Sequence, residues 1–112
     1  MKANNTGINE QYWNLLKEIL SSFIKERAIK VYLFGSRAKG TAKESSDIDL
    51  ALDAKGQKLP AGFIAEIKYA FQESDIPYIV DVIDLNDISE SFRNAIKDDL
   101  AEIKSAKKTV RN

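Results

Sequence analysis

The chain has 112 residues, 44% of them hydrophobic and 30% charged, and its 17 basic and 17 acidic side chains cancel. That length suits one domain, and the absence of Cys and His excludes disulfides, thiolate chemistry and Ser-His-Asp catalysis while arguing against zinc. A zero net charge argues against a domain held on nucleic acid mainly by counterion release, and any catalysis must rest on carboxylates, Lys or Arg, hydroxyls and a hard cation such as Mg²⁺.

The first eight residues are largely polar and are expected to form a loosely ordered N-terminus ahead of a domain over 9–104. No stretch approaches the roughly 20 apolar residues needed to cross a bilayer. The opening MKANNTGINEQY also lacks the apolar core of a secretory signal. A soluble, cytoplasmic protein is the expectation. From Asn9, a plausible N-cap, apolar residues recur at Tyr12, Leu15, Leu16, Ile19, Leu20, Phe23 and Ile24, which predicts a helix ending near 26–28. The run Val31, Tyr32, Leu33, Phe34 closed by Gly35 predicts a buried strand.

A short helical turn over 36–39 and a polar loop over 40–46 follow. Strict alternation over 47–52 predicts a second strand with Ile48, Leu50 and Leu52 on one face. Pro60 suits the first turn of a helix carrying Ile64, Ile67 and Phe71 on one face. A turn over 75–77 leads to a third strand over 78–83. Asp87 and Glu90 match a capping box for a last helix running on Phe92, Ile96, Leu100 and Ile103. The order α-β-β-α-β-α makes this an α/β (α+β) domain: a small mixed sheet of three or more strands with helices packed on it. Residues 105–112, with Lys107, Lys108 and Arg111, form a basic C-terminal tail beside Lys104; a helix end favoured by the helix dipole accounts for it.

The chemistry concentrates in two segments. A glycine at a strand end, Gly35, lets backbone approach a ligand closely. Ser36 adds a hydroxyl, the amides of the following turn offer a seat for a phosphate, and Arg37 and Lys39 bring positive charge. Asp47 and Asp49 alternate with apolar neighbours, so both carboxylates share one face of a strand with Cα atoms about 6–7 Å apart. Such a pair can hold one cation or bracket two, and a divalent cation relieves the repulsion between them. Asp81 stands in the middle of an otherwise apolar strand, where an unpaired carboxylate is costly. A metal shared with Asp47 and Asp49 would explain it; a paired Lys or Arg is the plainer alternative. Asp84 is a rival third ligand, but it falls on the opposite face and suits a cap for the next helix.

Gly35-Ser36, ten residues, and then Asp47-Ile48-Asp49 resemble the signature of the DNA polymerase β-like nucleotidyltransferase superfamily. Together with Arg37-Ala38-Lys39-Gly40 and Val80-Asp81-Val82, the pattern is similar to its minimal nucleotidyltransferase (MNT) branch, which includes the antitoxin halves of HEPN/MNT toxin–antitoxin pairs. Members often carry Arg where Lys39 stands. The resemblance implies the nucleotidyltransferase fold and Mg²⁺-dependent transfer of a nucleotidyl group, AMP from ATP, with pyrophosphate leaving. Asp47, Asp49 and Asp81 would then hold two Mg²⁺ ions, Asp81 would also deprotonate the acceptor, and Gly35 and Ser36 would grip the phosphates. It further implies a tyrosine hydroxyl on a helical HEPN toxin as acceptor. A non-catalytic antitoxin acting by complex formation, or a transferase acting on a small molecule or RNA, are the competing readings.

Overall fold

The protein's structure is a computed structural model describing residues 6–24 and 27–103. Expectations for the residues before Thr6, for 25–26 and for the basic tail lie outside the described residues. Helix α1 (Glu10–Ile24) begins where the sequence indicates. The Asn9 side chain accepts the Gln11 amide at 2.9 Å, and Leu16 and Leu20 face inward. Arg27 and Ala28 are not helical, so the helix has ended by Arg27. Just before the helix, Ile8 and Thr6 are buried.

Strands β1 (Lys30–Phe34), β2 (Ile48–Asp53), β3 (Val80–Asp84) and β4 (Ala101–Ile103) form one mixed sheet in the order β3-β2-β1-β4. β1 runs antiparallel to both neighbours, while β2 and β3 are parallel. The parallel pair needs a crossover, which helix α3 (Phe63–Gln72) supplies. On one face of the sheet, α1 and α3 bury Val31, Leu33, Ile48, Leu50, Leu52 and Val82. On the other, helix α4 (Glu90–Ile96) brings Ile96 onto Phe34 and Ala51. β2 is thus buried on both faces around Leu50, Ala51 and Leu52, as the central strands of such sheets are.

Three local expectations are corrected. Pro60 does not open α3: Gly62, at φ 87°, turns the chain in a left-handed conformation just before Phe63, and Phe63, Ile67 and Phe71 form the buried face with Ile64 at its margin. Ser89, rather than Asp87 or Asp84, caps α4 by accepting the Phe92 amide at 3.0 Å. Asp87 instead pairs with Lys58 at 3.3 Å. Asp84 accepts the Leu59 and Asn86 amides at 2.8 and 2.9 Å, tying β3 to the loop before α3.

The third concerns the last helix, which ends at Ile96 rather than running to Ile103. A 3₁₀ turn over Lys97–Asp99 follows, and Leu100 is extended with ψ 121°. Asp98 and Asp99 stand where the helix dipole disfavours negative charge, and the free edge of β1 offers Ala101–Ile103 a complete ladder. A fourth strand forms where helical periodicity predicted a helix.

Leu50 is fully buried, flanked in sequence by Asp49 and Ala51 on the opposite face of β2. Truncation to Ala is expected to cost about 2–5 kcal/mol in urea unfolding. A loss below about 1 kcal/mol would contradict the central place given to β2.

Candidate active site

β1 ends at Phe34, which pairs with Asp49 across the antiparallel ladder. Gly35 therefore emerges directly beside Asp49. Its backbone sits at φ 77° and ψ −158°, a region L side chains avoid. A Cβ there would lie 2.6 Å from Asp49 Oδ2. Glycine is required twice over, by its conformation and by the carboxylate packed against it. The short helix α2 (Ser36–Lys39) follows at once. Among the described residues nothing engages the Ser36 hydroxyl, whereas the Ser36 carbonyl accepts the Thr41 amide at 3.0 Å.

On the opposite edge of β2, Asp49 is in register with Asp81 of β3. Adjacent strands lie about 4.8 Å apart, so these side chains rise from neighbouring positions of one face. Asp47 immediately precedes β2 on the same alternation, and it is exposed. Asp49 is half-buried. Burial, then the negative charges of Asp81 and Asp47, raise its proton affinity above that of an ordinary carboxyl. The charges of Asp81 and Asp47 thus press on Asp49.

Their oxygens are hard donors of the kind Mg²⁺ takes, and the unbalanced negative charge around Asp49 is what a divalent cation would relieve. The residues fit such an ion chemically. They do not yet converge on one: among the described residues no three acidic side chains are gathered closely enough to hold a metal. Asp81 instead meets Lys68 of α3, with Nζ 3.3 Å from Oδ1.

Arg37 does not do what its position in the motif suggested. It is 1% exposed, and its guanidinium donates to the carbonyls of Thr6 (2.9 Å), Lys43 (3.3 Å), Glu44 (3.1 Å) and Ser46 (2.7 Å from Nη2, 3.1 Å from Nε). Its plane lies 4.7 Å from the Tyr78 ring centroid, and Tyr78 meets Tyr12 edge-on. The planar five-donor fork suits this task, a task an ammonium cannot perform. Arg37 holds the loop over 41–46 that delivers Asp47, so it positions the site rather than offering charge to a phosphate. Lys39 is exposed and pairs with Asp99 at 3.6 Å.

Sequence reasoning missed Tyr78 and Lys68 as parts of this arrangement. Both act through contacts between distant segments, and neither carries a local pattern. Replacing Arg37 by Met is expected to cost about 1–3 kcal/mol, since the carbonyls it satisfies lose their partner. Arg37→Lys should recover only part of that loss. Hydrogen exchange of the 41–46 amides would check it; unchanged stability and protection in Arg37→Met would overturn the assignment.

Known proteins share this chain's sequence pattern and fold. Residues 14–109 match the family model "Polymerase beta, Nucleotidyltransferase". The chain is 40% identical over 98 residues to the "Probable protein adenylyltransferase MntA" of Haemophilus influenzae, covering 86% of this chain and 82% of that protein. Among solved structures, a toxin–antitoxin with AMP-PNP superimposes with a TM-score of 0.53 at 26% identity, over 68% of this chain and 62% of that one. A Sulfolobus solfataricus protein described as a nucleotidyltransferase gives 0.51 at 25% identity, over 87% and 86%. The chain belongs to the polymerase β-type nucleotidyltransferase family, in the minimal branch that its motif resembles.

Proposed function

We propose that this chain transfers AMP from ATP to a hydroxyl, a tyrosine, on a helical HEPN-type partner toxin, and so acts as the antitoxin. One observation carries the site assignment: Asp49 lies in register with Asp81 on the neighbouring strand and against Gly35 at the end of β1. The acceptor class draws on the relative described as a protein adenylyltransferase and on the toxin–antitoxin structure with AMP-PNP. A cytoplasmic setting, where ATP and Mg²⁺ meet, belongs to the same proposal. No helix among the described residues is long and apolar enough to cross a membrane.

In this reading Asp47, Asp49 and Asp81 would hold two Mg²⁺ ions. When bound, the ions neutralise charge on the triphosphate and favour ionisation of the acceptor hydroxyl. Gly35 leaves room for phosphate oxygens to approach the backbone beside Asp49, and the Ser36 hydroxyl stands ready to donate to them. The acceptor oxygen attacks the α-phosphorus while the bond to pyrophosphate breaks. Its proton passes to the Asp81 carboxylate, leaving a phosphodiester on the acceptor and free pyrophosphate. A tyrosine hydroxyl has a pKa near 10, so a carboxylate within reach of that proton matters. Arg37 keeps Asp47 on station throughout.

The test is the intact mass of the partner after incubation with this chain, Mg²⁺ and each nucleoside triphosphate. A gain of one or more AMP units, lost with Asp47→Ala or Asp49→Ala, is expected. Removing a carboxylate relieves repulsion, so neither variant should lower the unfolding temperature of the metal-free protein. No gain with any nucleotide, alongside neutralisation that survives both substitutions, would mean that complex formation alone silences the partner.

A further inference from the structure

Lys68 is the feature that the proposed reaction leaves unused. It projects from α3, the helix packed over Val82, and reaches round the edge of the sheet to Asp81 on β3. Both side chains are about half exposed, at 47% and 51%. Among the described residues, the other ion pairs engage Asp99 and Asp87, so Lys68 is the one cation paired with any of the three site carboxylates. β3 is an edge strand, which leaves Asp81 free to turn outward, while Asp49 is confined between Phe34 and Asp81 on the neighbouring strands.

We infer that Lys68 is a resident counter-ion for Asp81, holding it out of the metal position until a cation arrives, so that ion binding and release of the Lys68–Asp81 pair are one coupled step. The inference rests on Asp81 being a metal ligand. Without an ion, drawing Asp81 closer to Asp47 and Asp49 would increase the repulsion it already exerts on Asp49. The ammonium sits 3.3 Å from Asp81 and offsets part of its charge. With Asp81 so engaged, no three acidic side chains among the described residues gather into a cation site. An arriving divalent ion offers Asp81 a stronger partner and must first displace the ammonium. Lys68 is thus a positioning residue that sets the metal concentration at which the site closes.

Mn²⁺ binding to the whole chain, followed by the loss of its free-ion EPR signal without nucleotide, tests this. Lys68→Met should tighten Mn²⁺ by about two- to fivefold, the range an exposed ion pair commands. Lys68→Arg should behave as the parent, and Asp81→Asn should weaken binding. In the Asp81→Asn background, Lys68→Met should add nothing. A Lys68→Met protein that binds Mn²⁺ no tighter, or gains equally in both backgrounds, would overturn the coupling while leaving Asp81 a ligand. If Asp81→Asn leaves Mn²⁺ affinity intact while Asp49→Asn removes it, Asp81 is not a ligand and the assignment beneath the inference fails.

Discussion

Like charges crowded on one face of a sheet are the constraint around which this small domain is arranged. Burial raises the cost of ionising Asp49 most, and the charges of Asp81, its register partner across the parallel pair, and of Asp47 add to it. Nothing in the packing requires carboxylates there. The same sheet face a few residues further on is apolar, with Ala51 and Ile83 under Ile96. Groups whose proton affinity is shifted in this way cluster at functional sites. A divalent cation is the chemically matched partner in the reaction proposed above, and Lys68 pairs with one of the three carboxylates, Asp81, at 3.3 Å.

The rest of the fold can be understood as holding these groups at fixed separations. β2 is clamped between two strands and buried on both faces, so its carboxylates sit on a rigid base. Gly35 brings the β1 end within contact of Asp49, closer than any other residue allows. Arg37 uses its whole fork to gather loop carbonyls from 43 to 46 and from Thr6, closing the loop in front of β2. A buried guanidinium paired only with carbonyls is expensive unless each donor is used well. Its stacking on Tyr78 and the number of its acceptors meet that condition.

Alternation made β2 and the shared face of Asp47 and Asp49 legible from the sequence, because a period of two leaves few alternatives. The strand ending at Gly35 was legible for a similar reason: four apolar residues and a glycine are too short for a helix. The parallel register that sets Asp49 beside Asp81 was not, since it depends on the crossover through α3. Arg37 misled because a cation beside a phosphate-binding sequence resembles a ligand; its acceptors are loop carbonyls and Thr6, which no side-chain pattern marks. β4 was hidden because Phe92, Ile96, Leu100 and Ile103 keep helical spacing across a break that two aspartates and an open strand edge impose. Lys68 reads in sequence as an ordinary exposed helix lysine, and only the edge position of β3 gives it a partner.

The most direct test of the account is a crystal structure with Mn²⁺ and a non-hydrolysable ATP analogue, with the ions located by anomalous scattering. Anomalous peaks between Asp47, Asp49 and Asp81 are expected, with phosphates against Gly35 and Ser36 and Asp81 turned away from Lys68. Nucleotide bound elsewhere, or ions present while Asp81 keeps its lysine, would contradict it.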